Sequence, residues 1–121
     1  MKNKPKRNKQ KGDKGENIAR QFLENLGYTF IEKNYSSSYG EIDLIFKDRS
    51  TLVFVEVKTR DNENFIKFEE IINDKKTNRI LKTAENYIEN TEIVFDETRI
   101  DAVFIILSDG ERKLKHLKNY Y

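Results

Sequence analysis

The sequence predicts an α/β protein in which helices flank a central mixed β-sheet. Two segments carry apolar residues at helical spacing, and several shorter segments carry them in the alternation typical of strands. The order along the chain is helix, three strands, helix, strands, which favours helices packed on a mixed sheet. With 121 residues the chain is long enough for one domain with a buried core.

The first helix is predicted over residues 13–26. Asp13, with Glu16 three residues later, fits a capping box at the start of this helix, and Gly27 fits its end. The apolar stripe at helical spacing consists of Ile18, Ala19, Phe22, Leu23 and Leu26.

Three strands are predicted next. The first covers residues 28–34, and a polar serine-rich loop follows it. Residues 41–47 and 51–60 alternate apolar and polar side chains around a short turn, which predicts a β-hairpin. Pairing Lys47 with Leu52 makes one face of the hairpin wholly apolar. That face consists of Ile42, Leu44, Phe46, Val53, Val55 and Val57.

A second helix is predicted from about Lys75 to Asn90, with Asn73 or Asp74 as its cap. The side chains expected to face inward are Ile80, Leu81, Ala84, Tyr87 and Ile88. The largely apolar segment 98–107 then predicts a buried strand, and a turn leads to a last strand near Leu114.

The second face of the hairpin carries charges. In the same register Asp43 opposes Glu56, and Glu41 opposes Lys58, whereas a slip of two residues would keep the faces and change these neighbours. Carboxylates about 5 Å apart across a strand pair repel each other, so both stay ionised only beside a positive charge. Mg²⁺ or Mn²⁺ fits, because both prefer carboxylate oxygens.

These charges allow two interpretations. Two acids, a metal and Lys58 could activate a water and stabilise a phosphodiester under attack. Alternatively, the charges form a solvated sheet end in which Lys58 pairs with Glu41. Tyr35 and Tyr39 flank the serine-rich loop beside this site, where they could stack on nucleobases or simply pack.

Composition narrows the function classes. There is no cysteine, which excludes a cysteine nucleophile and a thiolate zinc site, and the single histidine excludes a multi-histidine metal site. This residue, His116, lies in a basic terminal segment and is expected at the surface. The longest apolar run has six residues, Ala102 to Leu107, too few to span a membrane, and no secretory signal is visible, so we expect a cytoplasmic protein.

The charge is unevenly distributed. Residues 1–12 hold six Lys and Arg and no acid, which predicts a flexible basic arm ahead of a single domain at 13–121. Such arms often bind nucleic acid. The alternative is that the Lys and Asn content reflects genome base composition.

The hairpin also carries a family resemblance. Asp43, followed on the next strand by Glu56-Val57-Lys58, resembles the PD-(D/E)XK nuclease motif. The chain from Gly15 to Ile105 resembles the YraN-like family, a bacterial group related to Holliday-junction resolvases. The segments that carry this resemblance are GENIARQFLENLGY, NYSSSYGEIDLIFKD, LVFVEVKTR, KTNRILKTAENYI and RIDAVFI.

The resemblance implies a restriction-endonuclease-like core with a nuclease site. It implies that Asp43 and Glu56 bind the metal and that Lys58 is the catalytic lysine. The further residues that it suggests are Glu16 as an additional acid, Glu41 as a partner of Lys58, and Lys76 as a phosphate contact. Arg99 and Asp101 match an R-x-D pattern of the family, and Asp101 could equally form a structural buried ion pair.

Two functions fit these observations. The first is a metal-dependent endonuclease that hydrolyses phosphodiester bonds in branched or structured DNA, for which a homodimer would suit a two-site resolvase. The second is a non-catalytic nucleic-acid-binding module that retains the nuclease fold. A pure binding module has no need to hold two acids together, which favours the first.

Overall fold

A single mixed sheet runs through the described part of the chain, with its five strands side by side in chain order. The computed structural model describes residues 6–61, 74–108 and 110–120, and within them the side chains outside 6–11 and 74–76. The elements are α1 (Lys6–Asn25), β1 (Thr29–Ser37), β2 (Gly40–Asp48), β3 (Thr51–Arg60), α2 (Asp74–Asn90), β4 (Glu97–Ser108) and β5 (Glu111–Leu117). Neighbouring strands are antiparallel except β3 and β4, which are parallel. The predicted α/β fold with a mixed sheet is confirmed.

Helix α1 begins earlier than predicted. It starts at Lys6, so Asp13 lies inside the helix and the predicted capping box of Asp13 with Glu16 is wrong. The helix therefore includes residues that were assigned to the basic arm, where Lys, Arg and Gln are all good helix formers. Leu26, predicted to face inward, is 51% exposed because the helix ends at Asn25.

The two helices pack on opposite faces of the sheet, and each covers its own buried cluster. The β2–β3 hairpin contributes side chains to both clusters and has the predicted register. Lys47 pairs with Leu52, and the pairing extends to Asp48 and Thr51 around a two-residue turn. The buried cluster on the α1 side contains Ala19, Leu23, Leu44, Phe46, Val53, Val55, Val103 and Ile105. The cluster on the α2 side contains Ile45, Leu52, Phe54, Ile80, Ala84, Tyr87 and Ile100. Each buried aliphatic or aromatic side chain of this kind stabilises the fold by about 1.5–3 kcal/mol.

Ile42 departs from the predicted alternation. It packs in the α2-side cluster, not with Leu44 and Phe46 on the α1 side. Its strand partner Tyr35 packs against the same α2-side cluster. The residue before Tyr35, Asn34, has a left-handed backbone with φ of 54°, which interrupts the regular alternation of faces at this point.

Helix α2 follows the predicted stripe with one exception. Ile80, Ala84 and Tyr87 are buried, but Leu81 is 41% exposed. Leu81 lies about 100° round the helix from Ile80, which takes it out of the inward stripe. Thr83, and not Leu81, is fully buried on the inward face of α2. Its hydroxyl donates a hydrogen bond to the Arg79 carbonyl at 2.7 Å. No helix in the described chain is long and apolar enough to cross a membrane.

Asp101 is fully buried in β4 and is the centre of a polar network. Its carboxylate accepts hydrogen bonds from Arg99 Nε at 2.8 Å and from the Asn119 backbone N–H at 3.0 Å, and His116 Nε2 lies 2.8 Å from it. Burial alone would raise the pKa of Asp101, but the hydrogen bonds from His116, Arg99 and Asn119 outweigh it and lower that pKa. Asp101 therefore forms the structural ion pair. The predicted surface position of His116 is wrong, because its side chain is only 9% exposed.

Candidate active site

Asp43 lies where the pairing of β2 with β3 stops. The ladder ends at Leu44 and Val55, so the direct Asp43–Glu56 pair that was predicted is not formed as a ladder pair. One step beyond this end, Asp43 Oδ2 accepts a hydrogen bond from the Val57 backbone N–H at 2.7 Å. The carboxylate thus provides an acceptor for β3 just past the last backbone pair, and this bond fixes its position.

The folded protein disfavours the ionised form of the Asp43 carboxyl group. Its burial raises the pKa, and the charges of Glu56 and Glu41 raise it further, whereas the Val57 hydrogen bond and Lys58 lower it. The result is a pKa of about 6, against an ordinary value of 3.8. Although the predicted direct pairing is absent, the carboxylates of Glu41 and Glu56 are therefore close enough to act on Asp43.

Glu56 and Lys58 form an ion pair on one face of β3. Residues two apart on a strand share a face, and here the Lys58 Nζ lies 2.8 Å from Glu56 Oε1. The two side chains are 21% and 14% exposed for the lysine and the glutamate, so solvent screens this pair only partly. Lys58 is paired with Glu56 instead of the predicted partner Glu41.

Glu16 and Glu41 meet at a residue that the sequence did not indicate. With its amide oriented toward these acceptors, Asn34 Nδ2 donates to Oε1 of Glu16 and to Oε1 of Glu41, at 3.2 Å each. Asn34 holds the left-handed conformation that Asn tolerates better than most residues. A strained backbone at such a point is typical of functional sites. No local sequence pattern identifies Asn34, because both glutamates reach it from other elements.

Helix α1 brings Glu16 to this place through a close helix–strand contact. A Cβ at the neighbouring Gly15 would stand 1.9 Å from Thr59 Oγ1, so only glycine allows this approach. Thr59 lies near the end of β3, so this contact sets the Glu16 turn of α1 against that end of the strand. In place of the predicted capping box, the described residues bring the Glu16 carboxylate into contact with Asn34.

The chain resembles known proteins over most of its length. The sequence profile of the Uncharacterised protein family UPF0102 matches residues 15–105. A UPF0102 protein of Syntrophomonas wolfei is 37% identical over 114 residues, which cover 94% of this chain and 99% of that protein. A UPF0102 protein of Dictyoglomus turgidum is 45% identical over 101 residues, covering 84% of this chain and 86% of that protein.

This chain belongs to the UPF0102 family. The resemblance to the YraN-like group is thereby confirmed. The matched region of UPF0102 contains every residue of the candidate site described so far, from Glu16 to Lys58, and stops before β5. The names of these UPF0102 relatives state no activity.

Two further residues bear on the site of this UPF0102 protein. Lys76 lies in the first turn of α2, and its side chain is outside the described part of the structure. Tyr120, for which the sequence gave no signal, packs edge-on against Phe104 with ring centroids 6.0 Å apart. Phe104 is the β4 partner of Lys58, and the pKa of the Tyr120 phenol is raised by burial and, further, by the charge of Glu56.

The donor set suits a hard divalent cation held by few protein ligands. Among the described residues no group of three or more Asp, Glu or His side chains is placed to hold a metal. Asp43 and Glu56 supply two carboxylates, and Mg²⁺ commonly takes one or two, with waters and substrate phosphates completing its shell. Burial, and after it the charges of Glu56 and Glu41, make ionised Asp43 unfavourable, and a bound cation would offset both effects. These two residues therefore fit Mg²⁺ or Mn²⁺.

Proposed function

We propose that this protein is a metal-dependent endonuclease that hydrolyses phosphodiester bonds in branched or structured DNA. The observation that carries the proposal is the convergence of Asp43, Glu56 and Lys58 where the β2–β3 ladder ends. Buried carboxylates near one another destabilise a metal-free fold, so a purely structural role gives no reason to keep them.

Each side chain has a part in this reaction. Asp43 and Glu56 would hold Mg²⁺ or Mn²⁺, which when bound polarises phosphate oxygens and makes water more acidic. Lys58, fixed by Glu56 at 2.8 Å, supplies an ammonium for the negative charge that develops on the phosphate. Glu16 and Glu41, joined through Asn34, add acceptors that can orient an attacking water. Attack by this water forms a new P–O bond and breaks the P–O bond to one sugar oxygen. A proton from the water passes to that leaving oxygen, so one end carries a phosphate and the other a hydroxyl.

The substrate proposal follows from the related resolvases and from the charge distribution. The six basic residues of the segment 1–12 can contact phosphates. Resolution of a four-way junction requires two cuts, so for that substrate the proposal includes a homodimer.

The test is a cleavage assay on duplex, single-stranded, flap and four-way-junction DNA with Mg²⁺, Mn²⁺ or EDTA. We expect metal-dependent cleavage of at least one structured DNA, and its loss in Asp43→Asn and Glu56→Gln. Glu24→Gln is the matched control, since Glu24 is an exposed carboxylate of α1 that pairs only with Arg20 in the described structure. Binding without cleavage under every metal would reject the enzyme and leave the binding module.

A further inference from the structure

The tip of the β1–β2 hairpin is fixed to α2. Ser37 Oγ accepts a hydrogen bond from the Tyr39 backbone N–H at 3.1 Å and donates to Thr83 Oγ1 at 3.4 Å. The buried Thr83 hydroxyl in turn donates to the Arg79 carbonyl. At Gly40, a Cβ would stand within 3.6 Å of Thr83 Oγ1 and of Arg79 Cβ. The turn residues Ser38 and Tyr39 are therefore held on the helix at a defined place.

The two tyrosines of this hairpin have different environments. Tyr35 donates a hydrogen bond to Asn86 Oδ1 and packs edge-on against Tyr87, with ring centroids 5.0 Å apart. The Tyr35 ring is thus packed against the α2-side cluster. Tyr39 is 48% exposed, and the Lys82 Nζ lies 5.6 Å from its ring centroid. Of the two, only Tyr39 offers an aromatic surface to a ligand.

A polar cleft adjoins the Tyr39 ring. It has a volume of about 190 Å³ and is lined by Tyr39, Lys82, Glu85, Asn86 and Glu89. The ring provides a stacking surface and Lys82 a charge for a phosphate. The glutamates can accept hydrogen bonds from the exocyclic amino groups of bases. Glu85 and Glu89 would repel the closely spaced phosphates of a duplex backbone. The cleft therefore suits a single nucleotide better than a duplex.

We propose that Tyr39 and Lys82 form a stacking platform for one unpaired base of the DNA substrate, next to the cleavage site. The proposal rests on the proposed function and gives it a substrate class, namely DNA with a single-stranded segment beside the cut. Tyr39 lies in the turn directly before β2, four residues before Asp43, so their backbones are at most roughly 13 Å apart. A strand that passes the acidic site can reach the platform within a few nucleotides.

The test measures binding in EDTA, where no cleavage is expected, with the full-length protein. The probes are a single strand and a flap that carry 2-aminopurine, a fluorescent base that stacking quenches, and a blunt duplex of the same sequence. Tyr39→Ala should weaken binding of the single strand and the flap roughly 5- to 150-fold and abolish quenching. Tyr39→Phe should retain both, and Lys82→Gln should weaken binding and keep part of the quenching. Binding of the blunt duplex should change less than twofold.

The matched control is Leu81→Ala, which removes an exposed side chain next to Lys82 that does not line the cleft. Thermal melting of each variant shows that the fold is kept. The platform is rejected if Tyr39→Ala binds single-stranded DNA like the unmodified protein, if it loses duplex binding equally, or if the unmodified protein binds no single strand. Cleavage without a Tyr39 effect would reject the platform alone. A Tyr39 effect without cleavage under any metal would reject the nuclease alone.

Discussion

Replacement of the Asp43 carboxylate by an amide should stabilise the metal-free protein at neutral pH. Burial and the charges of Glu56 and Glu41 make ionisation of Asp43 unfavourable in the folded state. The amide of Asp43→Asn has nearly the same shape and keeps an oxygen that can accept the Val57 N–H bond. It removes the charge, and with it the repulsion.

The magnitude follows from the pKa. Each tenfold change in an ionisation constant corresponds to about 1.36 kcal/mol. A pKa of about 6 in the folded protein, against 3.8 in the unfolded chain, therefore costs about 3 kcal/mol when Asp43 is ionised in both states. Because the folded value is the higher one, the cost is nearly absent below the unfolded pKa, grows as the pH rises from 3.8 to about 6, and is complete above about pH 7.

The assay is urea denaturation of the unmodified protein and Asp43→Asn in EDTA at two pH values. We expect the variant to be more stable by about 3 kcal/mol at pH 8 and by about 1 kcal/mol at pH 4.5. Comparing the two proteins at each pH cancels the titration of all other groups that are shared. Glu24→Gln, on the exposed face of α1, should differ from the unmodified protein by less than about 0.5 kcal/mol. Equal stability at pH 8, or a difference that does not vary with pH, would refute the electrostatic reasoning.

Metal should remove most of this difference in stability between the two proteins at pH 8. Mn²⁺ at a hundred times its dissociation constant would stabilise the unmodified protein by about 2.7 kcal/mol if the unfolded chain does not bind it. Asp43→Asn should gain much less. An equal gain in both proteins would mean that the cation binds away from Asp43.

Three other outcomes are expected. Lys58→Ala should lower the cleavage rate by about 10²–10³ while DNA affinity changes little, and an unchanged rate would remove Lys58 from the chemistry. Substituting Gln for the six Lys and Arg of residues 1–12 should reduce the salt dependence of binding to DNA duplexes by up to about five in slope, whereas an unaltered slope would show that this segment does not contact phosphates. Asp101→Asn should cost about 3–5 kcal/mol in urea denaturation at pH 7, compared with less than about 0.5 kcal/mol for Glu24→Gln. Because the pKa of Asp101 is lowered, its contribution should be complete above about pH 4 and fall as the pH drops further, and a contribution that persists in acid would contradict the ion pair.

The sequence by itself determined which residues of β3 share a face, and most of the faces of β2. A slip of one residue between the two strands would have placed charges in the core, whereas Ile42 shows where the alternation did not hold. Glu56 and Lys58 lie two apart on one strand, so their proximity follows from strand geometry alone. The family pattern from Gly15 to Ile105 was likewise readable without coordinates.

Only the tertiary structure decided which residues from other elements contact the β2–β3 hairpin and the buried Asp101. Asn34 meets Glu16 and Glu41 because Gly15 allows α1 to rest on Thr59, a contact between segments 44 positions apart in sequence. The burial of His116 against Asp101 depends in the same way on β5 pairing with β4. Periodicity reports the face of a residue within its own element, whereas these contacts depend on how separate elements pack, and packing is set by the shape of the whole core.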